Sequence, residues 1–176
     1  SGEILKKDER SILLQDVQLK KNQTINKLPK IYLDAQEVYV ERYLSIFPKN
    51  CLADKKIGVY QHSAVGRDII VKVLKELGAD VIILGRSDEF IPVDTESIRR
   101  EDVEFALKWS EEHNLDLIVS TDGDSDRPLI SDENGKWIRG DIIGILVSDY
   151  LNADSVSTPI TSNTALEIAN EGKNIF

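Results

Sequence analysis

The sequence predicts a three-layer α/β domain with a mostly parallel sheet, helices on both faces and an antiparallel hairpin at one side. Three observations carry that expectation. Short β-branched runs alternate with helix-period segments from residue 56 to residue 119, the signature of β-α-β units. Asn134-Gly135 stands between two apolar runs, a strong short-range hairpin signal. Finally, 176 residues, 41% hydrophobic and 30% charged, are enough to bury a core and ordinary for a folded domain.

In chain order, residues 1–33 read as a linker or the tail of a preceding domain. They are polar apart from Ser11-Ile12-Leu13-Leu14-Gln15-Asp16-Val17-Gln18-Leu19, which reads as one strand. Asp34 is placed to cap a helix carrying Val38, Tyr39, Leu44 and Phe47, which ends near Pro48. Lys56-Ile57-Gly58-Val59-Tyr60 is a short buried strand. Gly66 to Leu77 puts Ile69, Ile70, Val73, Leu74 and Leu77 on one helical face. Val81-Ile82-Ile83-Leu84 is a second strand, followed by a loop over 85–97. Glu101 to His113 is helical, with Val103, Ala106, Leu107 and Ser110 facing inward and Glu101, Asp102, Glu104, Glu111 and Glu112 solvated. Leu115-Asp116-Leu117-Ile118-Val119 is a third strand. Pro128-Leu129-Ile130 and Lys136-Trp137-Ile138 form the hairpin, and Ile142 to Leu151 a packed helix. Trp109 and Trp137 are expected in the core or beneath neighbouring domains. Residues 34–153 thus read as one domain. Residues 154–176 open another unit, with a strand near Val156 and a helix capped at Ser162-Asn163.

Charge narrows the function. With 22 Lys+Arg against 31 Asp+Glu, the net charge is −9, and no basic stripe for nucleic acid is present. A single cysteine, Cys51, excludes an internal disulfide and a Cys-based zinc site. No apolar run approaches membrane-spanning length and no secretory leader is visible, so a cytoplasmic protein without membrane partners is expected. Ser1-Gly2, without an initiator Met, points to a chain cut from a longer one.

The informative segment is Thr121-Asp122-Gly123-Asp124-Ser125-Asp126-Arg127. Three carboxylates alternate along five residues directly after a buried strand, where α/β sheets bind ligands. Their mutual repulsion is relieved by a bound cation, and an all-oxygen set suits Mg²⁺, Mn²⁺ or Ca²⁺ over zinc. The plain alternative is a solvated loop whose Asp side chains cap turns. A helix-loop-helix calcium loop fits Asp122, Asp124, Asp126 and Glu133, but Arg127 stands where that loop needs Gly. A haloacid-dehalogenase-like phosphatase, with Asp122 as nucleophile and Asp124 as general acid, is the second alternative. Its downstream Lys and acidic pair are not evident.

The string Asp122-Gly123-Asp124-Ser125-Asp126-Arg127, preceded by Leu115-Asp116-Leu117-Ile118-Val119, resembles the metal-binding loop of the α-D-phosphohexomutase superfamily, which includes phosphomannomutases and phosphoglucomutases. Asn134-Gly135-Lys136 with Gly140-Asp141 is similar to the hairpin and helix start that follow it. The Gly85-to-Thr95 segment is similar to bacterial members, and Thr158-Pro159-Ile160-Thr161-Ser162-Asn163 to the opening of the third domain. The resemblance implies that residues 34–153 are a second domain, flanked by pieces of the first and third. It implies that Asp122, Asp124 and Asp126 hold Mg²⁺ and that Arg127 contacts the transferring phosphate. The substrate implied is a hexose phosphate, isomerised through a phosphoserine and a bisphosphorylated intermediate. The phosphoserine loop, the sugar-reading loop and the fourth domain's phosphate loop have no counterpart in these residues, so this part alone is expected to be inactive. Gln61-His62-Ser63-Ala64-Val65-Gly66-Arg67 reads as a strand-to-helix turn with Ser63 as the cap and His62 in the loop, or else as a phosphate seat.

Overall fold

The protein was described from a computed structural model, which defines residues 4–16, 28–169 and 174–175. Two compact units divide the chain, 1–33 and 34–176. In the first, α1 (Lys6–Leu13) is a helix that buries none of its residues. The strand expected from residue 11 is therefore corrected: residues 11–13 complete this helix, and 17–19 lie outside the described residues. Of the first turns, Lys-Lys-Asp-Glu-Arg, the Lys, Glu and Arg are good helix formers, Asp8 and Glu9 sit in the first turn where acids are favoured, and a Lys6–Glu9 ion pair spans 3.0 Å. They outweigh the short apolar run that suggested a strand.

The second unit begins with α2 (Ala35–Leu44), β1 (Lys56–Tyr60), α3 (Arg67–Glu76), β2 (Asp80–Leu84), α4 (Arg100–His113) and β3 (Leu117–Thr121). It continues through β4 (Pro128–Ser131), β5 (Trp137–Ile138), α5 (Gly140–Tyr150), β6 (Ser155–Val156), α6 (Ala165–Ala169) and β7 (Asn174–Ile175). The main sheet has the order β2-β1-β3-β4-β5. β1 runs parallel to β2 and β3, while β4 and β5 are antiparallel additions, with Val119 opposite Ile130 and Ile130 opposite Ile138. A separate parallel pair joins β6 to β7.

The chain steps from β1 outward to β2, then back across β1 to β3. Right-handed crossovers in opposite directions place α3 and α4 on opposite faces. The same reversal leaves a crevice beyond the carboxyl ends of β1 and β3, the ligand-binding position of open α/β sheets. The Gln61-to-Gly66 turn and the acidic loop both start there.

Side chains alternate along β1. Tyr60 joins the core cluster with Leu84, Val93, Ala106, Leu115, Ile118 and Leu129, while Trp109 and Trp137 pack against it half-buried. Trp109 also stacks on Phe105, with centroids 5.2 Å apart. The inward residues of α4 are Asp102, Ala106 and Ser110, whereas Val103 and Leu107 are 37% and 48% exposed. Two expectations are corrected here. Ala106 and Ser110 are buried as expected, but Val103 and Leu107 lie outside the buried stripe, and Asp102 belongs to it, fully buried. Its carboxylate is satisfied there, because Arg99 donates Nε and Nη2 to it at 2.8 and 2.7 Å and the Tyr60 hydroxyl at 2.9 Å. The Asp102 carbonyl also accepts from Trp137 Nε1 at 3.1 Å.

In α2 only Val40 is buried, Val38 and Tyr39 are exposed, and the Asp34 side chain makes no capping bond. The helix is present as expected, but without the expected Asp34 side-chain cap. Asn163 does cap its segment, its Oδ1 accepting from Ala165 N–H at 2.8 Å. Among the described residues, no helix is long and apolar enough to cross a membrane.

Candidate metal centre

β3 ends at Thr121 and delivers Asp122 into the crevice as a buried residue. A carboxylate that loses its water must be paired, and Arg127 does this twice. Its backbone N–H donates to Asp122 Oδ1 at 3.2 Å, and its Nε donates to Oδ2 at 2.8 Å. Burial alone would raise the Asp122 pKa, but these bonds outweigh it and hold the carboxyl below its ordinary range. Arg127 therefore secures Asp122, and its Nη1 lies 3.9 Å from Glu96 Oε1.

The loop then turns back on itself. Ser125 N–H donates to the Asp122 carbonyl at 3.3 Å, and Ser125 takes a left-handed φ of +66°. That reversal exposes Asp124 and Asp126 on the same side as Asp122. One carboxylate oxygen from each of the three residues can be chosen so that all lie within 4.8 Å of one another. The crowding has an electrostatic consequence. Asp126 is pushed above the usual carboxylate value, first by the Asp124 charge and then by burial and by Asp122. An oxygen-only, mutually repelling set of this size suits a hard divalent cation held by a few carboxylates and otherwise by water. The residues fit such an ion.

The Gln61-to-Gly66 turn packs against this loop. His62, expected in an open loop, is instead fully buried with φ +29°. Its Nε2 lies 2.9 Å from the Thr121 carbonyl, which can only accept, so that nitrogen carries the proton. Nδ1 is then a bare acceptor, without a hydrogen-bond partner among the described residues. Ser63 does not cap α3; Gly66 holds that position. The Ser63 hydroxyl accepts from Ile91 N–H at 2.8 Å and so fastens the 85–97 loop. No charge pattern marks His62, Gly66 or Ser125. The available signal is that their segments follow strands on either side of the sheet's reversal point.

Burial lowers the His62 pKa below its ordinary 6.5, more than its bond to Thr121 raises it. Folding therefore excludes a proton that the unfolded chain accepts. The His62 contribution is fully present above 6.5 and is lost as pH falls through the depressed value. Urea midpoints measured across that interval should fall with pH, and His62→Gln should flatten the decline.

A five-stranded α/β sheet with an acidic triad at its reversal point defines a class: a sheet-borne loop domain whose carboxylates could hold a divalent cation. Comparison with known proteins gives the family. The family model described as phosphoglucomutase/phosphomannomutase, alpha/beta/alpha domain II, matches residues 37–135. The chain belongs to that family. It is 44% identical over 176 residues to a phosphomannomutase of Salmonella muenchen, covering 99% of this chain and 36% of that protein. To a phosphomannomutase of Sinorhizobium fredii it is 41% identical over 173 residues, covering 96% and 36%. A phosphoglucosamine mutase of Clostridium botulinum is 30% identical over 152 residues, covering 83% of this chain and 34% of its own length. The chain thus spans about a third of the curated relatives it matches. Among solved structures, a phosphoglucomutase/phosphomannomutase family protein of Burkholderia thailandensis superposes with a TM-score of 0.65 at 17% identity, over 80% of this chain and 32% of its own. A structure from Thermus thermophilus titled as a phosphomannomutase gives 0.60 at 14% identity, over 81% and 36%. Both show the shared fold.

Proposed function

We propose that residues 34–153 are the metal-loop domain of a hexose-phosphate mutase, with 1–33 and 154–176 as flanks toward neighbouring domains. The observation that carries this reading is the convergence of Asp122, Asp124 and Asp126 at the carboxyl end of β3 in a chain of this family. Asp122, Asp124 and Asp126 would hold Mg²⁺, which when bound supplies Lewis-acid polarisation of a transferring phosphoryl group. Arg127 keeps the buried Asp122 ionised and oriented through two hydrogen bonds. Its guanidinium, half-exposed at the loop's end, is also a donor suited to a phosphate oxygen.

The substrate class follows from the relatives' names: a mutase of mannose, glucose or glucosamine phosphates moves a phosphoryl group within one sugar. In such an enzyme this domain supplies the metal loop, while the phosphoserine and the sugar-reading groups come from elsewhere in the protein. The phosphatase alternative needs a free Asp122 oxygen as nucleophile. It also needs a downstream Lys and a further acidic pair, which are not evident in the sequence after the loop.

Thermal melting with and without Mg²⁺ tests the metal assignment. Mg²⁺ should raise the midpoint of the wild-type chain, and Asp124→Asn and Asp126→Asn should each abolish the rise while the metal-free midpoint stays level or increases. An undiminished rise in both variants would remove the loop from the account.

A further inference from the structure

The Gln61-to-Gly66 turn touches the acidic loop at three successive points without supplying an acidic group of its own. His62 Nε2–H donates to the Thr121 carbonyl at 2.9 Å, directly before the first carboxylate. Val65 N–H donates to the Gly123 carbonyl at 3.0 Å, between the first and second. Gly66 N–H donates to Ser125 Oγ at 2.9 Å, between the second and third. The Thr121 hydroxyl lies a further 3.1 Å from that Oγ, so Ser125 joins both ends of the loop to the turn.

We infer that Gly66 and Ser125 form a positioning contact that sets the spacing of Asp124 and Asp126 for the cation; this rests on the metal reading above. Two features of the geometry support it. A Cβ added at Gly66 would stand 2.9 Å from both Cβ and Oγ of Ser125, and it meets no other atom that close. Ser125 Cβ is fixed to the loop backbone, so the encounter displaces the loop and not a flexible side-chain end. Ser125 also sits at φ +66°, a conformation disfavoured for a residue with a Cβ, held by its hydrogen bonds. The contact thus keeps a strained residue in the form that places its two acidic neighbours on one side. Such supports beyond the ligands themselves commonly control metal affinity by about 10–100-fold.

The test is Mg²⁺ affinity by titration calorimetry on the full 176-residue chain, with urea midpoints as the control for folding. Gly66→Ala should weaken binding about tenfold. Ser125→Ala keeps the Cβ and its left-handed strain but removes the hydrogen-bond acceptor, so it too should weaken binding, whereas Ser125→Gly removes the strain together with the side chain that the new Cβ would strike. In the Ser125→Gly background, adding Gly66→Ala should cost nothing further, because the collision partner is gone. A general loss of stability would be additive instead. Wild-type affinity in Ser125→Ala, or in a folded Gly66→Ala, overturns the positioning role, as does a further loss when Gly66→Ala is added to Ser125→Gly. Should Gly66→Ala not fold, Ser125→Ala and the double variant in the Ser125→Gly background decide the question. No Mg²⁺ binding by the wild-type chain would overturn the metal reading as well, which separates the two failures.

Discussion

Asp102→Ala should be among the most destabilising single substitutions in this domain, lowering the unfolding free energy by about 3–5 kcal/mol in urea titrations. The carboxylate is fully buried and accepts three side-chain donors, two from Arg99 and one from Tyr60. Removing it leaves the Tyr60 hydroxyl and two guanidinium donors without their acceptor, with only Glu101, 3.8 Å from Arg99 Nη1, to offset the charge. It also opens a gap where α4 meets β1. Tyr60→Phe removes only one bond and should cost about 1 kcal/mol, leaving the Arg99 pair in place. The Asp102 charge contributes to holding the Tyr60 phenol well above its ordinary pKa, after burial. Ultraviolet titration should therefore show Tyr60 among the late-ionising tyrosines of the wild-type chain, beside Tyr39, which its hydrogen bond with Tyr43 also raises, and Asp102→Ala should bring the Tyr60 component earlier. A loss below about 1 kcal/mol for Asp102→Ala would mean that the buried pair does not join helix to sheet.

Gly135→Ala should also cost several kcal/mol, by a different route. Gly135 closes the β4–β5 hairpin at φ +75°, and an added Cβ would stand 2.3 Å from the Ala106 carbonyl oxygen and 2.7 Å from Leu107 N. Both are backbone atoms of α4, so no rotamer change relieves the contact. About 1–2 kcal/mol of left-handed strain adds to about 1–3 kcal/mol of overpacking. Urea unfolding should show the loss with little change in slope. Unchanged stability would mean that the hairpin does not press on α4.

These two sites mark where sequence legibility stops. The β-α-β alternation and the Asn134-Gly135 hairpin could be read because periodicity and turn chemistry are local. Asp102 could not, because an acidic residue among Glu101, Glu104, Glu111 and Glu112 reads as solvent-facing. Arg99, three residues earlier, offered the only local hint of its burial. His62 was hidden for the opposite reason: its segment reads as a loop, and its burial comes from packing against Thr121, 59 residues away. The acidic triplet was visible as a string, but Ser125 reads as filler until its backbone angle and its contact with Gly66 are seen. The strand expected from residue 11 failed because an apolar run that short fits a helix end equally well.

The central claim is that Asp122, Asp124 and Asp126 form one divalent-cation site. Paramagnetic broadening of backbone amide signals by Mn²⁺, reversed by excess Mg²⁺, tests it most directly. The account requires substoichiometric Mn²⁺ to broaden the amides of the 121–127 loop and the facing 62–66 turn first, with Asp126→Asn suppressing the effect. Broadening spread over exposed acidic positions such as Glu111 and Glu112, with the loop spared, would contradict it.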